Sequence, residues 1–208
     1  MLHPTFLNSL YEYQLFTCAL YFGAYLLGSI PFGLLLTKLA GLGDIRTMGS
    51  GNIGATNVLR TGNKSLAALT LFLDGGKGAL AVWLGLAISD NTFFALLMGL
   101  CAVIGHIYPI FLKFKGGKGV ATAIGFYMMM SWELGLMIVV MWLIIAFVLK
   151  KSSAAAIAAI GSAPFFAWFL DMPEYILYFG GLSALIIWKH KANIERLFNG
   201  TEPTIGKK

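Results

Sequence analysis

Seven stretches of this chain are too apolar to be hidden inside a water-soluble fold of its size, and that constrains everything else about it. They fall at about 14–39, 65–88, 92–112, 119–130, 134–149, 153–170 and 174–188. A helix needs about 20 apolar residues to cross the hydrocarbon core of a bilayer, and most of these runs approach that length. Over the 208 residues, 58% are hydrophobic and 12% charged. Ordinary globular domains carry roughly 45–50% and 25%. The solvent for these runs is lipid. The predicted fold is an all-α integral membrane protein, a bundle of about seven transmembrane helices forming one polytopic domain over residues 1–208.

Two of the runs are predicted to be interrupted, the first at Gly28-Ser29-Ile30-Pro31 and the second at Asp74-Gly75-Gly76-Lys77-Gly78. The fourth covers only about 18 Å as a helix, which leaves open a bundle of five spans with that segment re-entrant. The start, MLHPTFLNSLYEYQ, has neither a basic leader nor a small-residue cleavage site, so the first run reads as a retained span. Cys18 and Cys101 both lie in apolar runs and read as two small buried side chains rather than a disulfide.

Charge orients the bundle. With seven spans, every Lys and Arg except Lys77 falls on one side, and the other side receives only Glu12, Asp90, Glu133, Asp171 and Glu174. Basic loops stay cytoplasmic, so the N-terminus is predicted outside and the C-terminus cytoplasmic. Some loop bases then only orient the protein and touch lipid headgroups. Lys150-Lys151 and Lys207-Lys208 are read that way.

Three segments on the basic side carry chemistry. In GLGDIRTMGSGNIGATNVLRTGNK, Gly49, Gly51 and Gly54 frame Ser50 and Asn52, followed by Thr56, Asn57 and Arg60, with Arg46 just before. Glycines let main-chain N–H groups close on an anion, and hydroxyl, amide and guanidinium groups add donors. The pattern reads as a phosphate cradle, although GxxxxGK[ST] is absent. In GHIYPIFLKFKGGKGVATA, Lys113, Lys115 and Lys118 surround Gly116-Gly117. A helix starting at Val120 would aim its free N–H groups at the same place. In WKHKANIERLFNGTEP, His190 and Asn193 share a helix face, and His is the side chain suited to a proton near neutral pH. The same helix also reads as an amphipathic segment on lipid.

Elsewhere the expectations are structural. Asp74 and Lys77 read as a buried pair buttressing the site, and His106 as a helix-packing hydrogen bonder. Met128–Met130 and Phe165, Phe166, Trp168 and Phe169 read as lipid-facing or core residues. No histidine is followed five positions on by aspartate, and Asp44, Asp74, Glu195 and Glu202 are too dispersed for a metal cluster, so no metal site is expected.

Together these segments resemble the bacterial acyl-phosphate-dependent glycerol-3-phosphate acyltransferases, the PlsY family. The resemblance rests on GSIPFG at 28–33, Asp44-Ile45-Arg46, GSGNIGATN at 49–57, Leu73-Asp74, Lys77-Gly78, Gly105-His106 and Pro109. It continues through FKGGKGVAT at 114–122, His190, Asn193-Ile194, Arg196-Leu197, Gly200 and Glu202. It implies a seven-span inner-membrane enzyme that moves an acyl group from acyl phosphate to position 1 of sn-glycerol 3-phosphate, giving lysophosphatidic acid and phosphate. The implied partners are those two substrates, membrane lipid and the soluble enzyme that makes acyl phosphate, with no cofactor and no nucleic acid. The substrate-binding set is Arg46, Ser50, Gly51, Asn52, Gly54, Thr56, Asn57, Arg60, Lys115, Gly116, Gly117, Lys118, His190 and Asn193. Of these Ser50, His190 and Asn193 are the expected catalytic residues, and the proton acceptor is either His190 or a substrate phosphate. Two departures stand out: Lys151-Ser152-Ser153-Ala154-Ala155-Ala156 puts a hydroxyl role there in doubt, and Gly75-Gly76 is expected to loosen the second span.

An exchanger of phosphorylated metabolites is the rival reading, since broken spans and intramembrane charge suit transport. An exchanger must receive its anion from both sides, and the outer side offers no base.

Overall fold

The structure is a computed structural model that describes residues 4–205, with side chains from Tyr13 onward. His3, Glu12 and the Lys207-Lys208 pair lie outside the described residues or side chains.

Every regular element among the described residues is helical. Helix α1 (Pro4–Ser29) leads into α2 (Phe32–Leu39) with a bend of 42°. The bend falls where Pro31 removes a main-chain donor. The break exposes the Ile30 carbonyl, which accepts Lys77 Nζ at 3.0 Å. After the cradle loop and the short α3 (Ala55–Leu59), α4 (Lys64–Ile88) starts where the Asn63 side chain accepts Leu66 N at 2.9 Å. Helix α5 (Thr92–Ile107) starts in the same way under Asn91. The chain continues through α6 (Val120–Met130), α7 (Trp132–Leu149), α8 (Ser152–Gly161), α9 (Ala163–Phe169), α10 (Ile176–Lys189) and α11 (Lys191–Phe198).

Among the described residues four segments are long and apolar enough to cross a membrane, namely Lys64–Ile88, Thr92–Leu112, Trp132–Leu149 and Ser152–Phe169. The bent pair α1–α2 makes a fifth if it counts as one span. The two remaining predicted spans are shorter, 11 residues in α6 and 14 in α10.

Helix α4 runs unbroken through Asp74–Gly78, contrary to the sequence expectation of an interruption. Its glycines are contact points. A Cβ on Gly78 would lie 2.1 Å from the Thr122 carbonyl oxygen, and one on Gly125 would lie 1.9 Å from that of Gly75. Close approach of α4 and α6 therefore recovers in packing what glycine costs in helix propensity. The helix stays regular through Gly75-Gly76, and the Gly75 carbonyl is the surface on which Gly125 closes. On the other side, Gly28 and Gly105 bring α1 and α5 together, their Cβ positions falling 2.0 Å from Ala102 O and 2.2 Å from Tyr25 O.

The core gathers on α6. Phe126, Tyr127 and Phe179 are fully buried with ring centroids 5.0–5.7 Å apart. The large outward side chains, such as Phe22, Phe147, Trp168 and Leu177, form the surface that apolar solvent covers. Cys18 belongs to that exposed surface rather than to the interior, and both cysteines are free. Beyond α11 the chain turns at Gly200, φ +70°, and runs back over the α7–α8 junction. There Ile205 N donates to Lys150 O at 2.8 Å, and Lys151 Nζ donates to Thr204 Oγ1 at 3.1 Å and to the Glu202 carbonyl. Lys151, read from sequence as a lipid-contacting charge, ties down this tail.

Candidate active site

One cavity of about 930 Å³ joins the three polar segments to the apolar interior. Its polar mouth is lined by Ser50, Asn52, Gly54, Thr56, Asn57 and Arg60 of the cradle loop and α3. Lys118 and Gly119 line it ahead of α6, with His190 and Asn193 at the α10–α11 turn. Its apolar limb runs between α4 (Leu71, Phe72, Gly75, Gly76, Ala79) and α7 (Val139, Trp142, Leu143). Ala121, Ile124, Gly125 and Met128 of α6 form its floor.

The cradle is built around Asn57, which is buried at the start of α3. Its Nδ2 donates to the carbonyls of Ile45, Met48 and Asn52 at 2.8–3.0 Å, and its Oδ1 accepts Ser50 N at 3.0 Å and Arg60 Nη1 at 3.3 Å. Asn57 thus spends its amide on the loop. The Ser50 main-chain N–H, expected to face an anion, is committed to it. Gly49 has φ +55° and lies so close to Asn57 that a Cβ would sit 2.4 Å from Oδ1. That leaves the Ser50 side chain, Asn52 and Arg60 free to present groups to the mouth. Arg46 is not part of the lining. Its guanidinium closes on Asp44 (Nη2 to Oδ2 2.5 Å), and this hydrogen bond holds the Asp44 carboxyl well below the usual range. Gly51 also lies off the cavity.

The second loop divides as sharply. Lys115 is exposed and lines no part of the cavity, and neither do Gly116 and Gly117. Their glycines serve packing. A Cβ on Gly116 would fall 2.3 Å from the His106 carbonyl oxygen, and one on Gly117 would fall 2.1 Å from His106 Nε2. Gly117 N also donates to that carbonyl at 3.0 Å. His106 in turn stands 3.6 Å from Asp74, which pairs with Lys77 at 3.0 Å. Lys77, Asp74 and His106 therefore form a buried polar line from the α1–α2 break to the back of the loop. This is the buttress read from sequence, with His106 as its contact to the loop. Gly119, at φ +85°, starts α6, whose Val120 and Ala121 line the cavity with N–H groups that have no intrahelical acceptor.

Lys118 is the cation this loop delivers. Its Nζ donates to Asn193 Oδ1. Burial pulls its pKa down to about 8, reinforced by Arg196 and Arg60 and opposed by Glu202. His190 is buried, and its Nδ1–H donates to Ile186 O at 2.8 Å, leaving Nε2 as the ring's acceptor. Burial lowers its pKa to about 4, so the imidazole is neutral at pH 7. Asn193 Nδ2 donates to Glu202 Oε1 at 2.7 Å, and so does Ser153 Oγ, while Arg196 Nε reaches Oε2 at 2.8 Å. Burial alone would raise the Glu202 carboxyl; those three donors win and lower it.

Glu202, Ser152 and Ser153 were not in the sequence-derived set. The available signal was the position of Glu202 in the RLFNGTE string; what hid it was its distance in the chain from Ser153 and its approach through the returning tail. Ser152 Oγ stands 3.2 Å from Thr56 Oγ1, joining α8 to the cradle, so this serine-bearing turn does belong to the mouth. Met128, read as an ordinary apolar residue, lines the limb. Among the described residues no group of three or more His, Cys, Asp and Glu is placed to hold a metal ion.

Residues 18–200 match the family described as Glycerol-3-phosphate acyltransferase. The chain belongs to that family. It is 53% identical to a Glycerol-3-phosphate acyltransferase of Paramagnetospirillum magneticum over 89% of this chain and 92% of the relative. It is also 53% identical to one of Mesorhizobium japonicum over 91% and 96%. The crystal structure of PlsY (YgiH), described as an integral membrane glycerol 3-phosphate acyltransferase in its glycerol 3-phosphate form, superposes with TM-score 0.85. It is 41% identical, over 91% of this chain and 96% of that one. The lysophosphatidic acid form of that protein superposes with TM-score 0.82 at 40% identity, over 91% and 95%. The glycerol-3-phosphate acyltransferase family thus accounts for an all-helical membrane fold with a polar mouth above an apolar limb.

Proposed function

We propose that this acyltransferase uses acyl phosphate as donor and acylates the 1-hydroxyl of sn-glycerol 3-phosphate, releasing lysophosphatidic acid and inorganic phosphate. The observation that carries this reading is the continuity of the cavity. A cationic mouth with Arg60 and Lys118 opens directly into a limb of apolar side chains, so a phosphate and a hydrocarbon tail on one molecule can be held at once. Arg60, Lys118, the Ser50 hydroxyl and the free N–H groups of α6 hold phosphate. Neutral His190 and Asn193 orient the glycerol hydroxyl.

The hydroxyl oxygen attacks the acyl carbonyl carbon, the bond from that carbon to the phosphate oxygen breaks, and the electron pair leaves with phosphate. Phosphate is already a good leaving group, so no covalent enzyme intermediate is required. The protein supplies position and charge neutralisation. The hydroxyl proton goes to His190 Nε2 or to a substrate phosphate. With the imidazole pKa lowered to about 4 by burial, His190 serves first as hydrogen-bond acceptor, and the phosphate is the stronger base. No divalent metal enters this scheme.

The same reading places the enzyme in a bacterial inner membrane with seven crossings, α6 and α10 being short ones, the N-terminus outside and the mouth cytoplasmic. The soluble enzyme that makes acyl phosphate would deliver to that face. Purified protein in lipid, given acyl phosphate and glycerol 3-phosphate, should release phosphate and form lysophosphatidic acid in equal amounts, with or without chelator. Turnover from another acyl donor alone would refute the donor assignment. For topology, a periplasmic thiol reagent should label Asn91→Cys and spare Asn63→Cys; the reverse pattern overturns the orientation.

A further inference from the structure

Most helical glycines facing a neighbour in this molecule have a steric reason. Gly78 and Gly125 admit no Cβ because a backbone carbonyl of the facing helix occupies the place, and a Cβ on Gly75 would touch Ala121 O at 3.4 Å. Gly76 has no such reason. It sits in the middle of α4 with an ordinary helical φ, and a Cβ there would meet nothing within 4 Å. Glycine at such a position costs helix stability relative to alanine. Gly23, Gly180 and Gly181 are equally uncrowded, but none of them lines the cavity, whereas Gly76 does.

The position of that open space matters. Gly75 is level with Ala121, the second residue of α6, so Gly76 stands just beyond Lys118 and Gly119, where the mouth passes into the limb. Helices α4 and α7 each pack on α6, and the passage lies between them. We propose that Gly76 is a specificity-determining residue: it keeps this passage wide, so that the enzyme accepts acyl groups that are bulky close to the carbonyl. This rests on the acyl-phosphate reading of the same cavity. The property set at Gly76 is girth near the carbonyl, not chain length, because the lining continues past it to Met128 on α6 and Val139 on α7.

The open space that motivates the inference also makes it testable, since a Cβ added there meets nothing within 4 Å and improves helix propensity. Gly76→Leu and Gly76→Ala should be compared with the unaltered enzyme in lipid, using a straight-chain acyl phosphate and the same chain with a methyl branch on the second carbon. One methylene in an apolar pocket discriminates by about 10–200-fold. Gly76→Leu should therefore lower kcat/KM for the branched donor about tenfold or more relative to the straight one. Gly76→Ala should shift it in the same direction by less. The KM for glycerol 3-phosphate should not change, and the thermal midpoint should stay or rise. Thermal stabilisation by added straight and branched lysophosphatidic acids should show the same preference without turnover. An unchanged branched-to-straight ratio in both measurements overturns the proposal. If the unaltered enzyme releases no phosphate from either donor, the donor reading fails, and the lysophosphatidic acid comparison still decides whether Gly76 sets girth.

Discussion

The loop from Gly43 to Gly54 is organised from within, whereas the loop from Lys113 to Gly119 is braced from behind. In the first, one buried amide, Asn57, gathers three carbonyls and an N–H around itself, and the loop's free side chains point into the cavity. In the second, glycines lie flat on His106, and the polar line behind it fixes the backbone. Only the last residues of that loop reach the site. Two glycine-rich basic segments thus perform different tasks: one forms a wall of the mouth, and the other places a single cation against it.

The sharpest way to break this comparison is at Asn57. Asn57→Ala leaves the Asn52 carbonyl and the Ser50 N–H without their partner and takes a second donor from the Ile45 and Met48 carbonyls; each buried group left unsatisfied costs roughly 1–3 kcal/mol. The helices packed elsewhere should survive, while kcat/KM falls about a hundredfold or more as Ser50, Asn52 and Arg60 lose their common frame. Hydrogen exchange should quicken over residues 45–57 and stay unchanged in α5 and α6. A variant with native exchange rates in that loop would show that Asn57 does not organise it.

Next in size is Lys118. Removing a charge-assisted hydrogen bond to phosphate costs roughly 1.5–3 kcal/mol, so Lys118→Ala should lose about ten- to a hundredfold in kcat/KM. Lys118→Arg should recover part of that. The ammonium is the protonated form, present below its pKa of about 8. As pH rises through that value the free enzyme loses the cation, and the KM for phosphorylated substrates should climb. The Arg variant stays charged and should show no such rise. Equal alkaline limbs in both enzymes would assign that limb to another group.

A smaller loss is expected at Glu202, which belongs to neither loop and holds Asn193 against Lys118. Glu202→Ala orphans Asn193 Nδ2 and Ser153 Oγ. The Arg196 partner is partly exposed, so its loss is softened by solvent. Turnover should drop about tenfold, with a lower thermal midpoint from the roughly 1–3 kcal/mol that each orphaned group costs. The depressed carboxyl contributes stability that is fully present above the ordinary carboxylate pKa and is lost as pH falls through the lowered one. The acid limb of thermal stability should therefore flatten in Glu202→Ala. A native thermal midpoint at every pH would remove Glu202 from the frame.

Much of this was legible in the sequence because lipid leaves a chain few choices. Apolar runs and the break at Pro31 follow from hydropathy and local chemistry. The cavity residues Ser50, Arg60, Lys118, His190 and Asn193 were marked by residue type. What local pattern could not reveal was direction. Asn57 reads like a ligand and faces the loop; Gly116 and Gly117 read like an anion nest and face an imidazole. Arg46 reads like a phosphate base and closes on Asp44. The unbroken α4 is the same lesson at the level of a helix: Gly75 and Gly78 look like breakers until α6 is laid against them.

The smallest effect belongs to Lys115, and it sharpens the comparison most. By sequence it equals Lys118, three residues on in the same loop. In the structure it is exposed and lines no part of the cavity. Its charge acts on a bound phosphate only through water and salt, where the screening length is about 8 Å at physiological ionic strength. Lys115→Ala should therefore lower kcat/KM by no more than about twofold at that ionic strength. The effect should grow as salt is diluted, because screening weakens and the loop's charge then helps draw anions to the mouth. Lys118→Ala should show a large loss that changes little with salt, since a hydrogen bond in a partly dry site is poorly screened. Measuring both variants at low and physiological salt separates a steering charge from a ligand. Equal losses at both ionic strengths would mean that Lys115 enters the site when substrate binds, and the division of labour between the two lysines would fall.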